Sequence, residues 1–147
     1  MTSPEAQTDN PEEEVVEVPE PLLFNISFPR LTELKRSAIM LLAARRPPTC
    51  PSLDLPDIEL TDPQKLVNEI ADHCEDSDGF ITSTMTIQEI LFRTLLTRRN
   101  APTLLSDLHY ELTERWSTPV RPINVTEDGL RTVLKSDNYY GFATVDK

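Results

Sequence analysis

The segment Asp76-Ser-Asp78-Gly79-Phe-Ile81 carries the acid and glycine spacing of part of a calcium-binding loop of the EF-hand kind. The match fails at both ends. With Gly79 in the sixth loop position, the first position is Cys74, where a carboxylate is needed. The twelfth is Met85, where a bidentate glutamate is needed. Beside it, His73 and Cys74 are types that ligate metals or act as nucleophiles, but their spacing supports neither use. There is no CxxC or HxxxH, and the remaining candidates are only Cys50 and His109. A Cys–His hydrolase would need Cys50 or Cys74 close to His109 and an orienting third group, and nothing in the spacing supplies one. Three scattered glycines make no phosphate-cradling loop. The carboxylates cluster among polar residues, not in apolar contexts that would raise their pKa. These residues predict no catalytic centre, no metal site and no cofactor.

Charge divides the chain. Its 147 residues carry a formal net charge of -11, and the imbalance is front-loaded. Residues 1–20 hold Glu5, Asp9, Glu12, Glu13, Glu14, Glu17 and Glu20 with no lysine or arginine. Residues 81–147 are neutral, with eight charges of each sign, so the acidic whole does not exclude nucleic acid from that end. Two cysteines cannot make the disulfide framework of a small secreted domain. No N-terminal apolar stretch looks like a secretion signal, and the longest apolar run, Ala38 to Ala44, falls far short of the roughly 20 residues that span a bilayer. Asn25-Ile-Ser27 and Asn124-Val-Thr126 match the N-glycosylation sequon, which means little without a secretion signal. The expectation is a cytoplasmic protein with reduced thiols and no membrane contact.

Three regions follow from composition and periodicity. Residues 1–21 are acidic, proline-containing and poor in large apolar side chains. They cannot bury enough surface to offset their ordering entropy, and a disordered tail is expected. Residues 22–80 read as a helical accessory segment with a proline-rich loop. Leu22 to Phe28 is a short extended run. Leu31, Leu34, Ala38, Leu41 and Leu42 then fall at helical spacing, stopped by Pro47-Pro48. After the loop, Thr61 or Asp62 can cap a helix with Pro63 in its first turn and Leu66, Val67 and Ile70 as its stripe.

Residues 81–147 are the most regular. Ile87, Ile90, Leu91 and Leu95 mark one helix, closed by Asn100-Ala-Pro102. Thr103 can cap a second, with Leu105, Leu108 and Leu112 inside and Trp116 near its end. Asn124 or Thr126 can cap a third, lined by Leu130, Val133 and Leu134 and ended by Asp137-Asn138. Tyr139 to Val145 is aromatic and β-branched and predicts a strand. Alternation along it puts Tyr139 with Gly141 on one face and Tyr140 with Phe142 on the other, and leaves at least one tyrosine exposed.

Three helices and a closing strand outline a winged helix-turn-helix. The residues Ile87, Ile90, Leu91, Asn100-Ala-Pro102, Asp107-Leu108, Leu112, Trp116, Val125, Gly129-Leu130, Leu134 and Tyr140-Gly-Phe142 resemble the HARE-type branch of that fold, over residues 86–145. A wing hairpin would need a partner strand, from Val120 to Ile123 or from Phe80 to Thr84. The resemblance implies a mainly α, non-enzymatic binding protein. It would bind DNA, or make a protein contact within a DNA- or transcription-associated assembly. A protein–protein adaptor without nucleic-acid contact is the alternative. Phosphate contacts would fall to Arg121, Arg131 and Lys135 around the third helix, and to Arg98 and Arg99 after the first. Glu127 and Asp128, at the start of the third helix, would repel phosphate.

Overall fold

The computed structural model describes residues 21–56 and 59–145. Apart from Pro21, the acidic tail expected over residues 1–21 lies outside them. The described chain is mainly helical, with one small antiparallel sheet. The chain begins with strand β1 (Leu23–Ile26), then two short helices, α1 (Phe28–Glu33) and α2 (Ala38–Ala43). A 3-10 turn at Pro51–Asp54 leads to α3 (Pro63–His73), and α4 (Ile87–Thr97) follows. Strand β2 (Thr103–Leu104) runs into α5 (Leu105–Tyr110), which continues as a π-turn over Glu111–Arg115. Helix α6 (Glu127–Ser136) and strand β3 (Phe142–Thr144) complete the fold.

Side-chain caps set most helix starts. Asp62 accepts the backbone N–H groups of Gln64 and Lys65, with Pro63 in the first turn of α3. Thr86 caps α4 through the Glu89 N–H, and Thr126, one of the two candidates, caps α6 through the Gly129 N–H. Thr103 does not cap α5. It lies in β2, and the residue at the cap position is Leu104, without a side-chain bond. The single helix expected from the stripe Leu31 to Leu42 is two helices. After α1, Lys35 takes a left-handed φ of 60°, and the N–H groups of Lys35 and Arg36 return to the Thr32 and Leu31 carbonyls. This is a Schellman-type ending without its usual glycine. Ser37 then caps α2 through the Met40 N–H, so local capping overrides the apolar period.

The sheet order is β2-β1-β3, with β1 central and antiparallel to both neighbours. Leu23 faces Leu104 in one pairing, and Ile26 faces Phe142 in the other. Neither Val120–Ile123 nor Phe80–Thr84 forms a strand. The partner of β3 comes from the far end of the described chain. The strand expected over Tyr139 to Val145 is shorter, because Asp137 reorganises its start. One Asp137 carboxylate accepts the backbone N–H groups of Tyr139, Tyr140, Gly141 and Phe142 at 2.9 to 3.4 Å. Gly141 closes that turn at φ 82°, and a Cβ there would lie 2.6 Å from Leu31 Cγ. A side chain at position 141 would therefore meet both backbone strain and a packed leucine.

Asn100 holds β1 in place. At φ 60°, just past α4, its side chain accepts the Ile26 N–H at 2.7 Å and donates to the Ile26 carbonyl at 2.8 Å. An amide side chain thus replaces a neighbouring strand at that residue. The resulting core is continuous across residue 80: Phe24, Leu31 and Ile70 pack in one cluster with Phe92, Leu108 and Phe142.

Candidate functional site

The third helix of the C-terminal half, α6, turns Leu130 and Leu134 inward and leaves Glu127, Asp128, Arg131 and Lys135 exposed. These four charges cancel. Arg131 Nη2 is 3.2 Å from Asp128 Oδ1, one turn back on the same face. Arg121 sits in the loop before α6 and donates to the Met85 carbonyl at 3.3 Å. Arg131 and Lys135, four residues apart, share one side of the helix. Arg98 and Arg99 do not extend that face. Arg98 lies 3.8 Å from Glu111 on the π-turn, and Arg99 reaches Asp72 on α3 at 2.5 Å and the Asn68 carbonyl. Three of the five cations expected at phosphate therefore already have carboxylate partners.

The most tightly organised polar group is one that spacing did not reveal. Glu89 on α4 accepts two hydrogen bonds from Arg45, at 2.7 and 2.8 Å, one from Arg93 at 2.7 Å and one from the Tyr140 hydroxyl at 2.8 Å. Burial alone would raise its pKa. The two guanidiniums and the hydroxyl outweigh it and pull the carboxyl down to about 2. Burial and then the Glu89 carboxylate push the Tyr140 hydroxyl up to about 12, against the Arg45 guanidinium, which pulls it down. Arg45 also lies 4.8 Å over the Phe92 ring. This network joins α2, α4 and the approach to β3. Its carboxylate is fully satisfied and faces a packed interior, which suits architecture and not proton transfer.

The nucleophile candidates are likewise engaged. Cys50 is buried, and desolvation with the nearby Glu69 carboxylate pushes its thiol up to about 12. Burial raises the Cys74 thiol as well. His109 Nε2 is 2.7 Å from the Val125 carbonyl oxygen. Thr49, His73 and Asp76 meet at the surface, but the hydroxyl and the carboxylate both approach His73 Nδ1, at 3.0 and 3.3 Å. A triad needs them on opposite ring nitrogens. Among the described residues, no group of three or more histidine, cysteine or acidic side chains is arranged to hold a metal.

An open cleft of about 480 Å3 lies between the loop after α3, the end of α4 and the π-turn, with Cys74, Asp78, Phe80, Thr97 and Trp116 on its walls. The Trp116 indole N–H is buried and finds no acceptor among the described residues. In a separate depression, the Arg36 guanidinium lies 3.8 Å over the Tyr139 ring, with Met40, which is 68% exposed, on the same wall.

No helix among the described residues is long and apolar enough to cross a membrane. Set against known proteins, the chain matches no family model, and no curated protein or solved structure matches it.

Proposed function

We propose that this chain is a non-enzymatic, winged-helix-like binding module that docks on another protein, in a cytoplasmic or DNA-associated assembly, and does not read DNA through α6. The order helix α4, strand β2, helices α5 and α6, strand β3 supports the winged-helix part of the reading. The chain departs from a winged outline in one respect that bears on function. The described partner of β3 is β1 and not a following strand of a wing hairpin, so no described wing projects beside α6.

The observation that carries the docking reading is the cancellation of charge on α6. A groove-reading helix needs a surplus of cations, because each neutralised phosphate contributes counterion release. Here Arg131 is shared with Asp128, Glu127 is exposed beside them, and Arg98 and Arg99 face Glu111 and Asp72. Arg121 and Lys135, without carboxylate partners among the described residues, favour the second reading, a weak duplex contact on that side. Fluorescence anisotropy of a labelled duplex against the full chain, from low to physiological salt, separates the two. The docking reading expects no saturable binding at low salt. Saturable binding that falls steeply with salt, and is lost in Arg131→Glu with Lys135→Glu, would replace it with the DNA reading.

A further inference from the structure

We propose that the face formed by the α1–α2 turn and Tyr139 docks an acidic, extended peptide segment of a partner protein, with one aliphatic side chain of that segment laid on Met40. This deepens the docking reading above and rests on it. Lys35, Arg36, Ser37, Met40 and Ala44 border a shallow depression of about 330 Å3 closed on one side by Tyr139.

In a protein of net charge -11, Arg45, Arg93, Arg98, Arg99, Arg115 and Arg131 all lie within ion-pair distance of a described carboxylate. Lys35 and Arg36 are exposed, adjacent and without such a partner among the described residues. Two uncompensated cations on one turn favour a polyanionic partner.

Met40 is 68% exposed, one turn into α2 from the two cations, and Tyr139 is 38% exposed beside them. A flexible thioether on an open face is an adaptable contact for an aliphatic side chain. A nucleic acid would use the tyrosine as a stacking platform. That ring is already covered by the Arg36 guanidinium at 3.8 Å and meets Tyr140 edge-on at 4.8 Å. A base could stack there only by displacing Arg36, the group that would bind its phosphate. A glutamate-rich peptide needs no such displacement: its carboxylates meet Lys35 and the outer edge of Arg36, and its aliphatic group meets Met40.

The geometry is also fixed from behind. Arg45, at the end of α2, is anchored to Glu89, and Tyr140 reaches the same carboxylate, so α2 and Tyr139 are held to one frame. A preordered surface loses less freedom on binding.

The test uses the full chain and three fluorescein-labelled probes. One is a glutamate-rich peptide with a central Leu-Leu pair, one is the same peptide with Ser-Ser, and one is an oligothymidine of equal charge. The expected result is saturable binding of the leucine peptide, roughly tenfold weaker for the serine peptide and for Met40→Ser. Arg36→Glu should abolish it, with melting temperatures near that of the unaltered chain. Oligothymidine binding at least as tight as the leucine peptide would overturn the proposal in favour of a nucleic-acid surface. Equal binding of the leucine and serine peptides, or no binding of either peptide, would also overturn it. The duplex titration keeps the two readings apart: silence from both peptides and duplex removes this surface alone, whereas salt-steep duplex binding removes the docking reading itself.

Discussion

Replacing Glu89 with glutamine keeps the side chain's shape and removes the charge that holds two guanidiniums. Glu89, Arg45 and Arg93 are 15%, 11% and 20% exposed at the side chain, so solvent screens the loss only partly. Two routes give its size. A carboxyl lowered from 4.5 to about 2 corresponds to about 3 kcal/mol of stability at neutral pH, at roughly 1.4 kcal/mol per pKa unit. Removing one member of a buried charge cluster costs about 3–5 kcal/mol, because the remaining charges are left unpaired. Glu89→Gln should therefore lower stability by about 3 kcal/mol and the melting temperature by roughly 6–12 °C. The pH dependence has a definite sign. A carboxyl with a depressed folded pKa contributes stability that is full above the unfolded value of 4.5 and is lost as pH falls toward 2. Urea melts of both proteins between pH 2 and 7 should show the gap between them closing across that window. A gap under about 0.5 kcal/mol at pH 7, or parallel profiles down to pH 2, would refute the reasoning.

Three further outcomes follow from other contacts. Asn100→Gly keeps the left-handed backbone but strips both partners from Ile26, and should cost about 2–5 kcal/mol in denaturant melts. Lys35→Gly should raise stability by about 0.5–1 kcal/mol, because glycine takes the φ of 60° without strain; a destabilised variant would mean that the Lys35 side chain makes up the difference. The Cys50 thiol, buried and pushed up to about 12, should react with iodoacetamide at pH 8 only as fast as the protein opens; mass spectrometry of the native protein should show prompt labelling at Cys50 if that is wrong.

Local chemistry was legible in the sequence where neighbours decide it. Asp62 with Pro63, Thr126, and the prolines after α2 and α4 mark boundaries that the structure keeps. The break at Lys35 was not legible, because a Schellman ending usually announces itself with glycine. The sheet was illegible for a different reason. Its central strand pairs Leu23 with Leu104 and Phe24 with Thr144, and no local pattern encodes partners that distant. Asn100 reads as a helix-stop residue, and nothing near it shows that its amide will hold Ile26, 74 residues earlier. The same holds for the candidate site. Arg98 and Arg99 read as a basic pair free for phosphate until folding brings Glu111 and Asp72 to them. Glu89 reads as a solvated carboxylate in a first helical turn until Arg45 and Tyr140 close on it.

Strand β1 belongs to one core with α4, α5, α6 and β3. That placement fills the described side of β3 where a wing partner would pair, and it carries α1 and α2 to Tyr139. Native-state hydrogen exchange at Ile26 and Ser27 tests it most directly. Their N–H groups bond the Asn100 side chain at 2.7 Å and the Gly141 carbonyl at 2.8 Å. This placement predicts that both exchange only through global unfolding, with the same denaturant dependence as the core amides of α4. Exchange through a separate, lower-energy opening, while α4 stays protected, would contradict it and make residues 23–26 a detachable arm.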